Sequence, residues 1–204
     1  LSLAYLPSPG IVKLRLSSQK GRKDEKKIDA LFKQLETIIP QYVYGYNSDT
    51  LSSIIGTILK ERQLSIGTVE SCTAGKVASE ITKTSGSSAY YMGSLLTYSN
   101  ELKEELADVP KALIQENGSV SEEVARAMAE GGKSRLGVDL CISTTGIAGP
   151  TGGTEDKPVG LVWVAIATPE TTITRKFHFS QHRERNIHMT VLCALNLLRN
   201  SLSA

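Results

Sequence analysis

Three short segments hold most of the residues able to do chemistry: 70–76 (ESCTAGK), 97–103 (TYSNELK) and 144–160 (TTGIAGPTGGTEDKPVG). Ser71 in the first is a candidate nucleophile, and a hydroxyl attacks a carbonyl carbon only when a base removes its proton. Histidine is the usual base, but none of the three histidines lies in a segment expected near these three. A neutral lysine does the same work once burial or a neighbouring cation depresses its pKa. Lys76 is five residues along the same helix from Ser71, about 140° round at 100° per residue, and so projects away. Lys103 follows a different strand and can face Ser71 across a crevice, with Tyr98 able to share the proton network. Backbone N–H groups near Cys72 and Thr73, at the start of a helix expected over 73–83, would donate to an oxyanion.

Two alternatives stay open on spacing alone. Cys72 is a rival nucleophile, because a helix N-terminus lowers a thiol pKa. Ser71 also suits a plain helix N-cap. The third segment carries Gly146, Gly149, Gly152, Gly153 and Gly160 with Pro150 and Pro158, too many breakers for a helix or a regular strand. Such a loop allows positive φ and close backbone approach, and its free N–H groups can cradle a phosphate. It matches neither GxGxxG nor a Walker loop, so a purely structural loop is the competing interpretation.

The elements that must position these segments follow from periodicity. Strands are expected at 65–69, 93–98, 139–144, 161–167 and 172–179. Helices are expected at 51–63, 73–83, near 100–107 and 110–116, and at 121–135 and 183–200, with N-cap candidates for the first in NSDT (47–50). Buried β-branched runs alternating with amphipathic helices predict a three-layer α/β/α sandwich. Only four residues separate 161–167 from 172–179, which requires an antiparallel hairpin and makes the sheet mixed. Each chemistry-bearing segment follows a strand, so all three are expected to meet beyond the strand C-termini. Helix 121–135 offers a face for a homo-oligomer.

Residues 1–46 form a separate expectation: a small β-α-β module with strand 11–16, helix 24–38 and a strand at YVYGY (42–46), followed by a domain over 47–204. This module carries eight Lys/Arg against four acids, whereas the remainder carries 15 against 17. Its basic run, KGRKDEKK, is interleaved with acids and lacks aromatics, so it reads as a solvated turn before nucleic-acid contact. Charged residues make up 22% of the chain and hydrophobic ones 40%, an ordinary globular balance. No apolar run reaches the ~18–20 residues of a membrane span. Three widely spaced cysteines without a CxxC pair fit a reducing, cytoplasmic setting and give no disulfide frame or zinc site. The chain starts without Met, which suggests a piece of a longer protein.

Taken in order, ESCTAG, TYSNELK, NGSVSEEVARAMAEG and TTGIAGPTGGTEDKPVG resemble the CinA family over about residues 47–200, and more narrowly its C-terminal, PncC-type domain. The opening from LAYLPSPGIVKLRL to YVYGY is similar to the KH-like module that precedes this domain in longer CinA proteins. The resemblance implies a missing larger N-terminal domain as covalent partner. It also implies a pyridine nucleotide as substrate: hydrolysis of the carboxamide of nicotinamide mononucleotide to nicotinate mononucleotide and ammonia, with no metal or cofactor. It implies Ser71 as nucleophile, Lys103 as general base and Tyr98 as helper. Thr145, Gly146, Ile147, Ala148, Gly149, Gly152, Gly153 and Thr154 would line the nucleotide site. Ser99, Asn100 and Lys157 would be further members, with Cys72 and Thr73 beside the nucleophile. Some family members are implied to keep the fold as non-catalytic nucleotide-binding or competence- and damage-related modules. The family usually reads SCTGG where residue 74 here is Ala, which costs about 1 kcal/mol if that position needs positive φ.

Overall fold

The computed structural model describes residues 1–203 and divides into two compact units, Leu1–Ser48 and a larger one from Asp49 onward. In the first, β1 (Ser2–Ser8) and β2 (Ile11–Ser17) form an antiparallel hairpin, with Leu3 opposite Leu16 and Tyr5 opposite Leu14. A single 3₁₀ turn leads into α1 (Glu25–Ile38). The order is therefore β-β-α, not β-α-β. The additional strand β1 contains Pro7, which a two-stranded ribbon tolerates because every strand is an edge. YVYGY is not a strand. Tyr46 turns back onto α1, donating to the Glu36 carboxylate and meeting Phe32 edge-on at 5.7 Å between ring centroids.

The larger unit is a five-stranded sheet in the order β4-β3-β5-β6-β7. Its strands are β3 (Ile66–Glu70), β4 (Tyr91–Leu96), β5 (Leu140–Gly146), β6 (Leu161–Ala167) and β7 (Thr172–His178). The first three in the order are mutually parallel; β6 and β7 are antiparallel, so the sheet is mixed. The helices are α2 (Leu51–Arg62), α3 (Lys76–Thr82), α4 (Asn100–Ala107), α5 (Lys111–Asn117), α6 (Glu122–Leu136) and α7 (Arg183–Ser203). Thr50 starts α2 as a reciprocal capping box with Ser53.

Period-two alternation assigns the faces. A Cβ on Gly132 of α6 would lie 2.1 Å from Val69 Cγ2 and 3.1 Å from Cys141 Sγ, and Ser143 Oγ donates to the Ala125 carbonyl. Odd-numbered residues of β3 and β5 therefore face α6. Even-numbered ones, Thr68 and Glu70 among them, face the layer of α2, α3 and α7. One core gathers Val69, Cys141, Ala165 and Ala167 from the sheet with Val124, Ala125, Met128 and Ala129 of α6. The apolar stripe of α6 is thus spent on the sheet. Adjacent Gly131 is just as crowded, since a Cβ there would sit 1.8 Å from the Ala107 carbonyl oxygen of α4. The glycine pair lets α6 settle on β3 and α4 together. Among the described residues no helix is long and apolar enough to cross a membrane.

Candidate active site

The register aligns Leu96, Glu70 and Thr144 at the ends of three adjacent parallel strands. The segments that follow, 71–75, 97–99 and 147–160, therefore leave from one end of the sheet, as the strand order requires. Arg183, first residue of α7, ties two of them together: its guanidinium donates to the Gly149 carbonyl at 2.9 Å and to the Tyr98 hydroxyl at 3.2 Å.

Ser71 and Lys103 meet at the centre. Lys103 Nζ lies 3.2 Å from Ser71 Oγ, and both residues are buried, at 2% and 8% exposure for lysine and serine. Lys103 sits on the second turn of α4 and reaches back toward the helix start, as long helical side chains do. There its amine also meets the carbonyl of Thr97 at 2.9 Å and those of Tyr98 and Ser99 at 3.4 Å. Burial holds the ammonium below the usual lysine range, against opposing pulls from Cys72 and Glu101. Burial likewise pushes the Cys72 thiol up to about 12. Near neutral pH that thiol keeps its proton, so its pull on Lys103 is absent there. The same fact answers the rival nucleophile: Cys72 is buried, and its thiol is raised where a helix N-terminus was expected to lower it.

The helix after the nucleophile begins at Lys76, three residues later than expected. Ala74 at φ 49° and Gly75 at φ 87° are both left-handed and hold 71–75 out of the helix. Ser71 is consequently not a helix cap. Its N–H donates to the Thr144 carbonyl of β5 at 3.0 Å, which carries the strand ladder one residue further. The first amides of α3 are occupied as well, but by Glu70, a residue that the sequence reading missed. This buried carboxylate accepts from the N–H groups of Gly75 and Val77 at 3.0 Å and Ala78 at 2.8 Å. It accepts also from the hydroxyls of Thr73 at 2.6 Å and Thr68 at 3.3 Å. The N–H groups of Cys72 and Thr73 donate to no backbone carbonyl among the described residues.

Other expected members are placed as follows. Tyr98 is 62% exposed, and its hydroxyl faces Arg183 instead of the Ser71–Lys103 pair. Ser99 caps α4 through its hydroxyl, and Asn100 opens that helix on the surface. Thr73 is fully buried, its hydroxyl shared between Glu70 and Thr144. Thr145 is buried and donates to the Ser119 carbonyl at 2.7 Å. Gly146 is crowded by Val162 and Leu161, and Ile147 pairs with Leu161 and Gly160 through its backbone. The Ala148 carbonyl accepts from Asn186 at 2.9 Å. Gly152, Gly153 and Thr154 form the exposed tip, closed by Thr154 N–H to the Lys157 carbonyl at 2.9 Å. Lys157 then donates its amine to the Asn117 carbonyl.

Arg183 and Asn186 also escaped the sequence reading. The only signal was their place in the first turn of a helix entering from a polar stretch, SQHRERN. At the opposite end of the sheet a groove of about 420 Å³ runs between Val138, Ala167 and Thr172. Its lysine, Lys133, is engaged by the Thr168 carbonyl at 2.6 Å, and it has no counterpart of the buried serine–lysine pair.

Residues 48–202 match the family model described as the CinA C-terminal domain. A CinA-like protein of Cytophaga hutchinsonii is 42% identical over 205 residues, covering 99% of this chain and 49% of that protein. The chain thus spans about half the length of the curated relatives it matches. Among solved structures, the competence/damage inducible protein CihA of Agrobacterium tumefaciens superposes with a TM-score of 0.73 at 33% identity, over 76% of this chain and 94% of that one. A CinA superfamily protein of Escherichia coli gives 0.71 at 31%, over 79% and 98%.

Proposed function

The chain belongs to the CinA family, and on that premise we propose that its larger unit is an amidohydrolase with a Ser–Lys pair, converting the carboxamide of nicotinamide mononucleotide to the carboxylate. The observation that carries this reading is the 3.2 Å approach of Lys103 Nζ to Ser71 Oγ in a buried site. A neutral lysine amine has two N–H bonds and one lone pair. With the N–H bonds on the Thr97 carbonyl and one of its two neighbours, the lone pair is directed at the Ser71 hydroxyl.

In the first half-reaction Lys103 takes the Ser71 proton while Oγ attacks the carboxamide carbon. The N–H groups of Cys72 and Thr73, which donate to no backbone carbonyl among the described residues, are the donors assigned to the oxyanion. The tetrahedral intermediate collapses, Lys103 returns the proton to the departing nitrogen, and ammonia leaves an acyl-enzyme ester on Ser71. Water activated by the same amine then cleaves the ester and releases nicotinate mononucleotide. Arg183 at the mouth of the site supplies the positive charge that a nucleotide phosphate requires, with the 147–160 loop beside it.

One observation favours a second reading, a nucleotide-binding regulatory module without turnover. Three carbonyls around Lys103 Nζ would also hold an ammonium, and a protonated lysine is no base. The deciding experiment is ammonia release from nicotinamide mononucleotide by the intact protein beside Ser71→Ala and Lys103→Ala. Turnover that disappears in both folded variants supports the amidohydrolase. Saturable nucleotide binding with no ammonia from the intact protein favours the regulatory reading. Activity that survives Ser71→Ala sinks the mechanism.

A further inference from the structure

The five residues 71–75 form a loop whose two ends are fixed to a single residue. Ser71 follows Glu70 in the chain, and the Glu70 side chain returns to hold the far end. Its Oε2 takes Thr73 Oγ1, Gly75 N–H and Val77 N–H, and its Oε1 takes Ala78 N–H and Thr68 Oγ1. The even parity of Glu70 on β3 directs its carboxylate toward α3. Burial at 0% exposure shields it from competing water. Two consecutive left-handed residues, Ala74 and Gly75, lie inside this loop, so its conformation opposes the backbone preference of an L-residue. A charged acceptor with five donors is what holds such a turn in one shape.

We propose that Glu70 is a positioning residue for the reaction: it sets the direction of Ser71 Oγ and of the Cys72 and Thr73 N–H groups without touching substrate. The proposal rests on the serine reading above. It also explains why the amides of α3 are not the oxyanion donors, since the chain's own carboxylate already occupies them. Glu70→Gln keeps the volume but turns an NH₂ toward amides that need an acceptor, so the turn relaxes while the core beneath it stays filled.

The test measures Ser71 reactivity directly, using the labelling rate of a fluorophosphonate probe by the intact protein, Glu70→Gln and a stability control, Ile55→Val, in the α2 core. Nucleotide affinity is measured in parallel by calorimetry with nicotinate mononucleotide. Glu70→Gln is expected to label about 100-fold more slowly, the cost of misplacing a reacting atom by about 1 Å. Nucleotide affinity should hold within about threefold, and Ile55→Val should label at the intact rate. Thr73→Val, which removes one donor to Oε2, should fall between and serves where Glu70→Gln does not fold. Unchanged labelling in Glu70→Gln, or an equal slowing in Ile55→Val, overturns the positioning role. An intact protein that labels elsewhere than Ser71 overturns the serine reading itself, and the role of Glu70 with it.

Discussion

The turn 71–75 and the loop 147–160 leave neighbouring parallel strands at the same end of the sheet, yet they are held by opposite means. The turn is buried and fastened by charge, with Cys72 at 6% exposure, Thr73 at 0% and a carboxylate beneath them. The loop is exposed from Thr151 to Asp156 and is held through its own carbonyls and one lysine, by donors on α7 and an acceptor on α5. A buried, charge-fastened turn suits groups that must be oriented within tenths of an ångström, where errors appear in kcat. An exposed loop fastened at a few backbone points suits contact with the nonreacting part of a substrate, where errors appear in KM. The division predicts which mutations move which constant.

The largest effects belong to the pair next to the turn. Ser71→Ala and Lys103→Ala should each lower kcat by about 10⁴-fold or more, and the double variant little further, because groups acting as a unit are not additive. The intact enzyme should show kcat/KM rising with pH through a single step below the ordinary lysine value of 10.5, as the buried amine loses its proton. Stability has a defined sign in the same window. Between the lowered folded pKa of Lys103 and 10.5 the unfolded chain holds the extra proton, so this residue makes the fold more stable as pH rises. Cys72 works the other way between 9.0 and about 12, because the folded thiol keeps a proton that the unfolded chain releases. Urea melts at pH 8 and pH 10 of the intact chain and Cys72→Ala separate the two. A flat pH–rate profile with full activity would remove Lys103 from the role of base.

Next in size comes the loop side. Arg183→Ala removes the donor shared by the Gly149 carbonyl and the Tyr98 hydroxyl, and with it the charge at the mouth of the site. KM for nicotinamide mononucleotide should rise about 10- to 100-fold, the worth of one charge-assisted hydrogen bond, with kcat within about threefold. A loss confined to kcat would erase the contrast between turn and loop.

Much of this was legible in the residues. Strand and helix order in the larger unit followed from buried β-branched runs alternating with amphipathic stretches, and the mixed sheet followed from the four-residue connection before β7. Ser71 and Lys103 were named from hydroxyl chemistry and from the want of a histidine. What escaped was what side chains do once folded. Glu70 reads as the first polar residue after a strand, and nothing local says that its carboxylate turns under the next five residues. Arg183 is more than eighty positions from Tyr98, a contact that only the tertiary fold creates. In the small unit the aromatic run YVYGY gave a strand pattern but found no strand to pair with. No residue there is fully buried, so periodicity had no core to enforce it.

The smallest expected effect tests the turn alone. Ala74 is left-handed at φ 49°, where a Cβ costs about 1 kcal/mol relative to glycine. Ala74→Gly removes that strain but adds backbone freedom to the unfolded chain, which takes back part of the gain. A net stabilisation of about 0.5 kcal/mol is the expected balance, visible as a rise of roughly one to two degrees in Tm for a chain of this size. Because Glu70 and not residue 74 holds the turn, kcat should stay within about twofold. If Tm rises while kcat falls tenfold, Ala74 is not just strained: its methyl group stops a more flexible turn from swinging Ser71 away from Lys103. The carboxylate alone would then be too weak a fastening to account for the rigidity of the turn.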